Sequence, residues 1–329
     1  MRERWIDNIK GVLIILVVLG HILPAPYNVL STPASYIFLF HMPAFFMISG
    51  YLAAPRKRPL VSSIWRKARR ILGPYFFYLI LIAGTQVLIM YIRMPEIYIL
   101  KENMIHLFRG GQGLNDFYCG ALWFLTCLFC VYVFFYLIER LPAAWMRGIV
   151  YVLLWVAAHY QSCTITQEQQ ATFWLWDVSI IGVVYLASGY YLKKYIFDKR
   201  VILGSVFCVI GFFVVRASGL IPAWQSFGIE LWSHTYKYPI LDFVIPCGIF
   251  VILANLFKLI PEGKVSVVLS ELGKYSLAIM AMHQIVIHVM VAAIHITNIV
   301  FLTVGATLIP YLIVRFIWAK IPVIKKIAL

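Results

Sequence analysis

Apolar runs recur along the whole chain, separated by short segments that carry most of its charge. Ten can be bounded: 11–30, 34–54, 72–92, 121–138, 148–160, 174–192, 201–218, 239–257, 275–297 and 299–318. A bilayer core about 30 Å thick takes roughly 20 helical residues to cross, close to the length of most of these runs. The shortest is 148–160. No alternating barrel pattern is present, and open sheet edges cannot face lipid, so the runs are predicted to be helices. The pattern therefore predicts an all-α integral membrane protein, a bundle of about ten transmembrane helices forming a single domain over 1–329.

Composition sharpens this reading. The chain is 63% hydrophobic and 12% charged, where a soluble protein carries about 25% charged residues. Such a surface cannot be wetted all round, which excludes a soluble enzyme, a disordered chain and a small disulfide scaffold. The net charge of +15 does not point to nucleic acid, because the basic residues fall between apolar runs. Their expected partners are the anionic headgroups of membrane lipids and any acidic ligand that docks on the same face. Arg93, Lys101, Arg109, Arg216 and Lys237 fall on segments predicted outside, and the other 23 of the 28 Lys and Arg fall inside. A missed helix would scramble that segregation, so N- and C-termini are both expected to be cytoplasmic. Cys127 and Cys130 are spaced as C-x-x-C but have no His or acidic ligand nearby. They read as packing residues, and no metal site is expected.

The first run carries the sharpest chemistry. Asp7, Lys10 and His21 precede or interrupt an otherwise apolar stretch. Lys10 and His21 are about three helical turns apart, on one face and ~16.5 Å along the axis. Asp7 lies within ion-pair reach of Lys10. Lys10 alone would fit a side chain snorkelling to the interface, and His21 alone a helix–helix hydrogen bond. Two further histidines change the weighing. Phe40-His41-Met42-Pro43 places His41 about 10 Å below the outer face, and Pro43 is expected to open a polar notch in its helix. His283-Gln284 lies about 12 Å above the inner face and His21 about 15 Å. Three imidazoles on three helices can thus converge near the midplane. An ionisable side chain at that depth is by default functional.

Arg4-x-x-Asp7-x-x-Lys10-Gly11 running into Val17-Val18-Leu19-Gly20-His21 resembles the opening signature of acyltransferase family 3. Phe40-His41-Met42-Pro43-x-Phe45-Phe46-x-x-Ser49-Gly50-Tyr51 resembles its second signature, and Ala121-Leu122-Trp123-Phe124-Leu125 a third. The combination is most similar to the fucose 4-O-acetylase-like branch. These signatures cover roughly the first 125 residues.

The resemblance implies one family 3 transmembrane domain in the cytoplasmic membrane of a bacterium. It implies an O-acyltransferase, most readily an O-acetyltransferase, with no bound cofactor. The donor would be cytoplasmic acyl-CoA (acetyl-CoA first), and the acceptor a sugar hydroxyl of a polysaccharide or glycolipid. His21 would be the general base or a transient acyl carrier, with Lys10 and Asp7 on the same helix as catalytic support. Lys10, Arg66, Lys67, Arg69 and Arg70 form a basic collar suited to the donor's phosphates. His41, Ser49, Trp123 and His283 are candidates to line or support the conduit. Loop 219–238 offers Trp224, Trp232, Tyr236 and Tyr238 as flat faces for a sugar, with Gln225, Glu230 and His234 as hydrogen-bonding neighbours. Trp224, Glu230 and Trp232 are the leading acceptor candidates. An aromatic belt at the interface would collect the same residue types.

A proton-coupled transporter or a lipid or glycan flippase is the alternative, since midplane histidines and a basic mouth suit a carrier as well. Against it stand the absence of an inverted repeat and the first-helix signature. Cysteines introduced at 102–115 are expected to react with an impermeant reagent from outside, and those at 57–66 only after the membrane is opened. The reverse pattern would invert the orientation.

Overall fold

The computed structural model describes residues 3–23, 31–55, 59–88, 110, 114, 117–164, 172–219, 228–322, 324 and 327. Its α-helices are α1 (Arg4–Ile22), α2 (Ser31–Phe38), α3 (His41–Tyr51), α4 (Leu60–Leu79), α5 (Trp123–Ile138) and α6 (Ala144–Thr164). There follow α7 (Val178–Leu192), α8 (Lys199–Ala217), α9 (Pro239–Leu259), α10 (Lys264–Lys274), α11 (Ser276–Ala292) and α12 (Ile299–Leu312). Among the described residues the one extended pairing is an isolated bridge between Glu230 and Thr235.

Eight helical stretches are long and apolar enough to cross a bilayer: Arg4–Ile22, Pro33–Tyr51, Leu60–Leu88, Gly120–Ile138, Phe173–Leu192, Lys199–Ala217, Pro239–Leu259 and Ile299–Lys320. A ninth arises if α10 and α11, bent by 78° at Tyr275, count as one broken span. The protein is thus an all-helical, multi-pass membrane protein with eight or nine candidate spans among the described residues, where the hydrophobic pattern predicts ten. The difference is the fifth run and, unless the bent pair counts as one span, the ninth. The fifth does form a helix, α6, but its last turns carry His159, Tyr160, Gln161, Ser162 and Thr164, too polar for lipid along the full length.

Two segments taken as inner loops are helical instead. The third span starts at Leu60, so Arg66, Lys67, Arg69 and Arg70 sit on the first half of α4. Residues 264–274 form α10, which turns Ser266, Ser270, Leu272 and Gly273 inward and leaves Val265, Val267 and Val268 exposed. The second span breaks where its proline predicts. Pro43 has no N–H for the Leu39 carbonyl, and the chain leaves α2 at Phe38 and re-enters a helix at His41.

The helix that carries His21 lies in the middle of the bundle. Two-thirds (67%) of the α1 span is buried, against 11% of the Lys199–Ala217 span, which faces outward along most of its length. α1 packs most extensively on α10, and also touches α3, α9, α11 and α12. The α1–α10 crossing is made backbone to backbone. A Cβ at Gly11 would collide with the Leu269 carbonyl, and one at Gly273 with the Asp7 carbonyl. Asn8 Nδ2 donates to Ser266 Oγ at 3.0 Å beside it. α3 meets α7 in the same reciprocal way, Gly50 against Leu186 and Gly189 against Met47. Small residues at crossings are how membrane helices gain close packing without a hydrophobic driving force.

Gly189→Ala is expected to destabilise the protein by about 1–3 kcal/mol, the usual cost of overpacking. Thermal denaturation in detergent, followed by loss of the monodisperse peak, measures it. Gly204→Ala on α8, where nothing lies within 4 Å, is the control and should leave the midpoint unchanged.

Candidate functional site

A cavity of about 360 Å³ opens among α1, α3, the start of α5, α11 and the 229–232 segment. His21 and His41 line it together with Trp123, Glu230, Trp232 and Gln284; Phe38, Phe45 and Phe124 supply apolar wall. His21 is accessible within it although α1 is central to the bundle.

Each histidine has one nitrogen committed. His41 Nδ1 lies 2.8 Å from the Ile37 carbonyl, the acceptor four residues back across the break between α2 and α3. His283 Nδ1 lies 2.8 Å from the Met280 carbonyl and 3.2 Å from that of Ile279. A carbonyl only accepts, so both rings carry their proton on Nδ1 and a lone pair on Nε2. His283 is fully buried, its Nε2 has no hydrogen-bond partner, and its ring centroid is 4.9 Å from that of His21. Gln284 reaches His21 from the next position on α11. Its Nε2 is 3.4 Å from His21 Nδ1, while its Oε1 accepts the Ala121 N–H at 3.1 Å.

The segment over the cavity is held from below. Glu230 and Thr235 bond each other's backbone at 3.1 and 3.0 Å, closing a tight turn. Within it His234 adopts a left-handed backbone (φ 53°), a conformation that needs fixing in a residue with a Cβ. The fixing is visible on both ring nitrogens. Nε2–H donates to Asp177 Oδ2 at 3.0 Å, and Nδ1 accepts from the Tyr236 hydroxyl at 3.0 Å. Burial pushes that hydroxyl above its ordinary pKa, so it stays a donor. Asp177 also takes the Thr172 hydroxyl and the Val178 N–H, capping α7. A second such pair, His159 Nε2 to Asp242 Oδ2 at 3.3 Å, ties α6 to α9.

A separate cavity of about 500 Å³ is lined by Leu52, Ala53, Ala54, Arg66, Lys67, Arg70 and Tyr136. The Lys67 ammonium sits 3.5 Å over the Tyr132 ring. Tyr132 in turn donates its hydroxyl to the Ser49 carbonyl at 3.0 Å. The basic cavity is thereby joined to α3, the helix that begins with His41.

The structure brings His21, His41, Trp123, Glu230 and Trp232 to one cavity, with His283 directly behind His21. Arg66, Lys67 and Arg70 meet at the other cavity, whereas Arg69 lies over the Trp65 ring at 4.9 Å. Lys10 pairs with Asp7 at 3.7 Å; neither is among the residues lining the two cavities. Ser49 contributes its carbonyl to Tyr132 and is not among the lining residues either. Trp224 and Gln225 lie outside the described residues. Tyr236 and His234 are not open faces for a sugar, being 1% and 3% exposed and bonded to one another. Asp177 and Asp242 escaped the sequence reading, and Gln284 was named beside His283 without a role. The signal for the two aspartates was present, a carboxylate inside or beside an apolar run; for Gln284 it was adjacency to His283.

Residues 3–315 match the family Acyl_transf_3, described as an acyltransferase domain. Nodulation protein NolL of Sinorhizobium fredii (strain NBRC 101917 / NGR234) is 33% identical over 135 residues, 38% of this chain and 33% of that protein. Nodulation protein NolL of Mesorhizobium japonicum (strain LMG 29417 / CECT 9101 / MAFF 303099) is 35% identical over 91 residues, 25% of this chain and 24% of that protein. The matches thus span a third or less of the length of these relatives. No solved structure matches the chain.

Removing the carboxylate in Asp177→Ala leaves the buried His234 N–H without its acceptor. A loss of about 1–3 kcal/mol is expected, read as a lower thermal midpoint. His21→Asn, at a ring that faces the cavity, is expected to leave the midpoint within a degree or so of the parent. Equal losses in the two variants would mean that His21 is a packing residue.

Proposed function

The chain belongs to the acyltransferase domain family, matched over residues 3–315, and from that premise we propose that it is a membrane O-acyltransferase that esterifies a carbohydrate. The donor is acyl-CoA, acetyl-CoA in the first place. The acceptor is a sugar hydroxyl of a surface or exported polysaccharide or glycolipid, as in the fucose 4-O-acetylase-like branch. The setting is a bacterial cytoplasmic membrane with both termini inside. The observation that carries the reading is the cavity in which two imidazoles face a carboxylate and two indoles.

In this reading the donor's phosphates dock at Arg66, Lys67 and Arg70, with Arg69 adding to the local positive field. Guanidinium forks suit phosphate, and the field focuses a polyanion at a low-dielectric mouth. Lys10, oriented by Asp7, meets a donor phosphate or carbonyl. The acyl thioester reaches His21, and the imidazoles facing the cavity handle the proton of the acceptor hydroxyl. Glu230, Trp232 and Trp123 hold the sugar, the indoles against its C–H face and the carboxylate on its hydroxyl rim. Trp224, eight residues before Trp232 in the sequence, is the remaining acceptor candidate. Ser49 acts through its carbonyl, holding the Tyr132 hydroxyl.

The test is acyl transfer by the purified protein from radiolabelled acetyl-CoA to an oligosaccharide acceptor. His21→Ala is expected to lower the rate by ~10²–10⁴-fold, the range of a positioned catalytic group. Lys67→Ala is expected to raise KM for acetyl-CoA with a smaller effect on kcat. Trp232→Ala is expected to raise KM for the acceptor while sparing hydrolysis of the donor by water. A His21→Ala protein that retains the parent rate refutes the catalytic assignment.

A further inference from the structure

Two imidazoles reach one cavity, and their hydrogen bonds leave them chemically unlike. The Ile37 carbonyl holds a proton on His41 Nδ1, so neutral His41 has its lone pair on Nε2. His21 is set the other way by Gln284. The Gln284 amide cannot be reversed, because its Oε1 already accepts the Ala121 N–H at 3.1 Å. Its NH₂ group is therefore the one that faces His21 Nδ1 at 3.4 Å. An amide NH₂ only donates, so Nδ1 must be the acceptor and the proton of neutral His21 sits on Nε2.

The geometry points to Gln284 as the positioning residue that sets the working tautomer of His21, so that His21 donates a hydrogen bond in the cavity and His41 accepts the proton. This deepens the O-acyltransferase reading and rests on it. As the acceptor oxygen attacks the thioester carbon, a C–O bond forms and the hydroxyl proton passes to His41 Nε2. The oxyanion of the tetrahedral intermediate is met by the His21 Nε2–H, as a preformed donor at the site of developing charge. The intermediate then collapses. The C–S bond breaks, the thiolate leaves with the electron pair, and His41 returns the proton to sulfur, so both rings finish neutral and in their starting tautomers. Gln284 touches neither substrate in this scheme. It acts through His21 by holding Nδ1.

The test uses the full chain, [¹⁵N]histidine-labelled, in detergent or nanodiscs. Two-bond ¹H–¹⁵N correlations read each ring's tautomer, and His21→Asn and His41→Asn assign the signals by their loss. His21 is expected as the Nε2–H form and His41 as the Nδ1–H form. In Gln284→Met, which keeps the length and loses both hydrogen bonds, His21 is expected to show a mixture of tautomers. Its kcat should fall about tenfold while KM for acetyl-CoA holds. A His21 ring with its proton on Nδ1 in the parent overturns the proposal. So does a Gln284→Met protein in which His21 stays wholly Nε2–H.

A second arm separates the two roles. Hydroxylamine attacks a thioester without needing a base, so it should restore acyl transfer to His41→Ala, above the uncatalysed rate, and not to His21→Ala. Rescue of His21→Ala alone would reverse the roles and sink the assignment. If both variants transfer at the parent rate to the sugar, the O-acyltransferase reading of this cavity fails, and the scheme with it. The ring spectra would still decide whether Gln284 sets the tautomer.

Discussion

A polar atom placed among membrane helices has no water to turn to, and leaving it without a partner costs about 1–3 kcal/mol. That constraint shapes the interior of this bundle more than any apolar contact does. His41 is satisfied by the Ile37 carbonyl four residues back. His234 is satisfied at both nitrogens, which keeps a left-handed backbone in place beside the cavity. Seven buried side-chain atoms among the described residues have no hydrogen-bond partner, and one of them is informative. His283 Nε2 is buried and unpartnered, and it stands directly behind the ring expected to do the chemistry. Unsatisfied groups that persist in a native interior tend to mark such places.

The two cavities share no lining residue, yet they are mechanically joined. The Lys67 ammonium rests on Tyr132, whose hydroxyl holds the Ser49 carbonyl on α3. That helix begins at His41. The start of α5 is tied to α11 by the Gln284 side chain, which also touches His21. The imidazoles are therefore located by tertiary contacts from α5 and α11 as much as by the helices that bear them.

Much of this was legible in the chain itself. Each predicted run overlaps a helix among the described residues, because a long apolar stretch has few alternatives in lipid. That His21, His41 and His283 could converge followed from helical rise, and the break in the second span followed from Pro43. Other features were not legible, for identifiable reasons. The early start of α4 and the existence of α10 escaped because both are amphipathic and rich in charge, so a hydropathy window reads them as loops. Asp177 and His234 are 57 residues apart, and no local pattern pairs them. Gln284 is an ordinary polar residue until the fold brings the Ala121 N–H to its oxygen. His234 and Tyr236 read as open loop residues because sequence carries no burial for a turn.

The interlocked glycines have a consequence for how material crosses this membrane. At Gly11–Gly273 and Gly50–Gly189 the helix backbones touch without intervening side chains, so sliding or rocking one past the other meets carbonyl oxygens at once. A carrier that exposes its load alternately to the two sides needs its halves to move at such seams. A bundle riveted at both seams instead favours a stationary passage. Under the proposed reading nothing bulky has to travel: the phosphates stay on one side and the sugar on the other. Only a short, uncharged acyl group, for which an apolar interior is no barrier, traverses the middle.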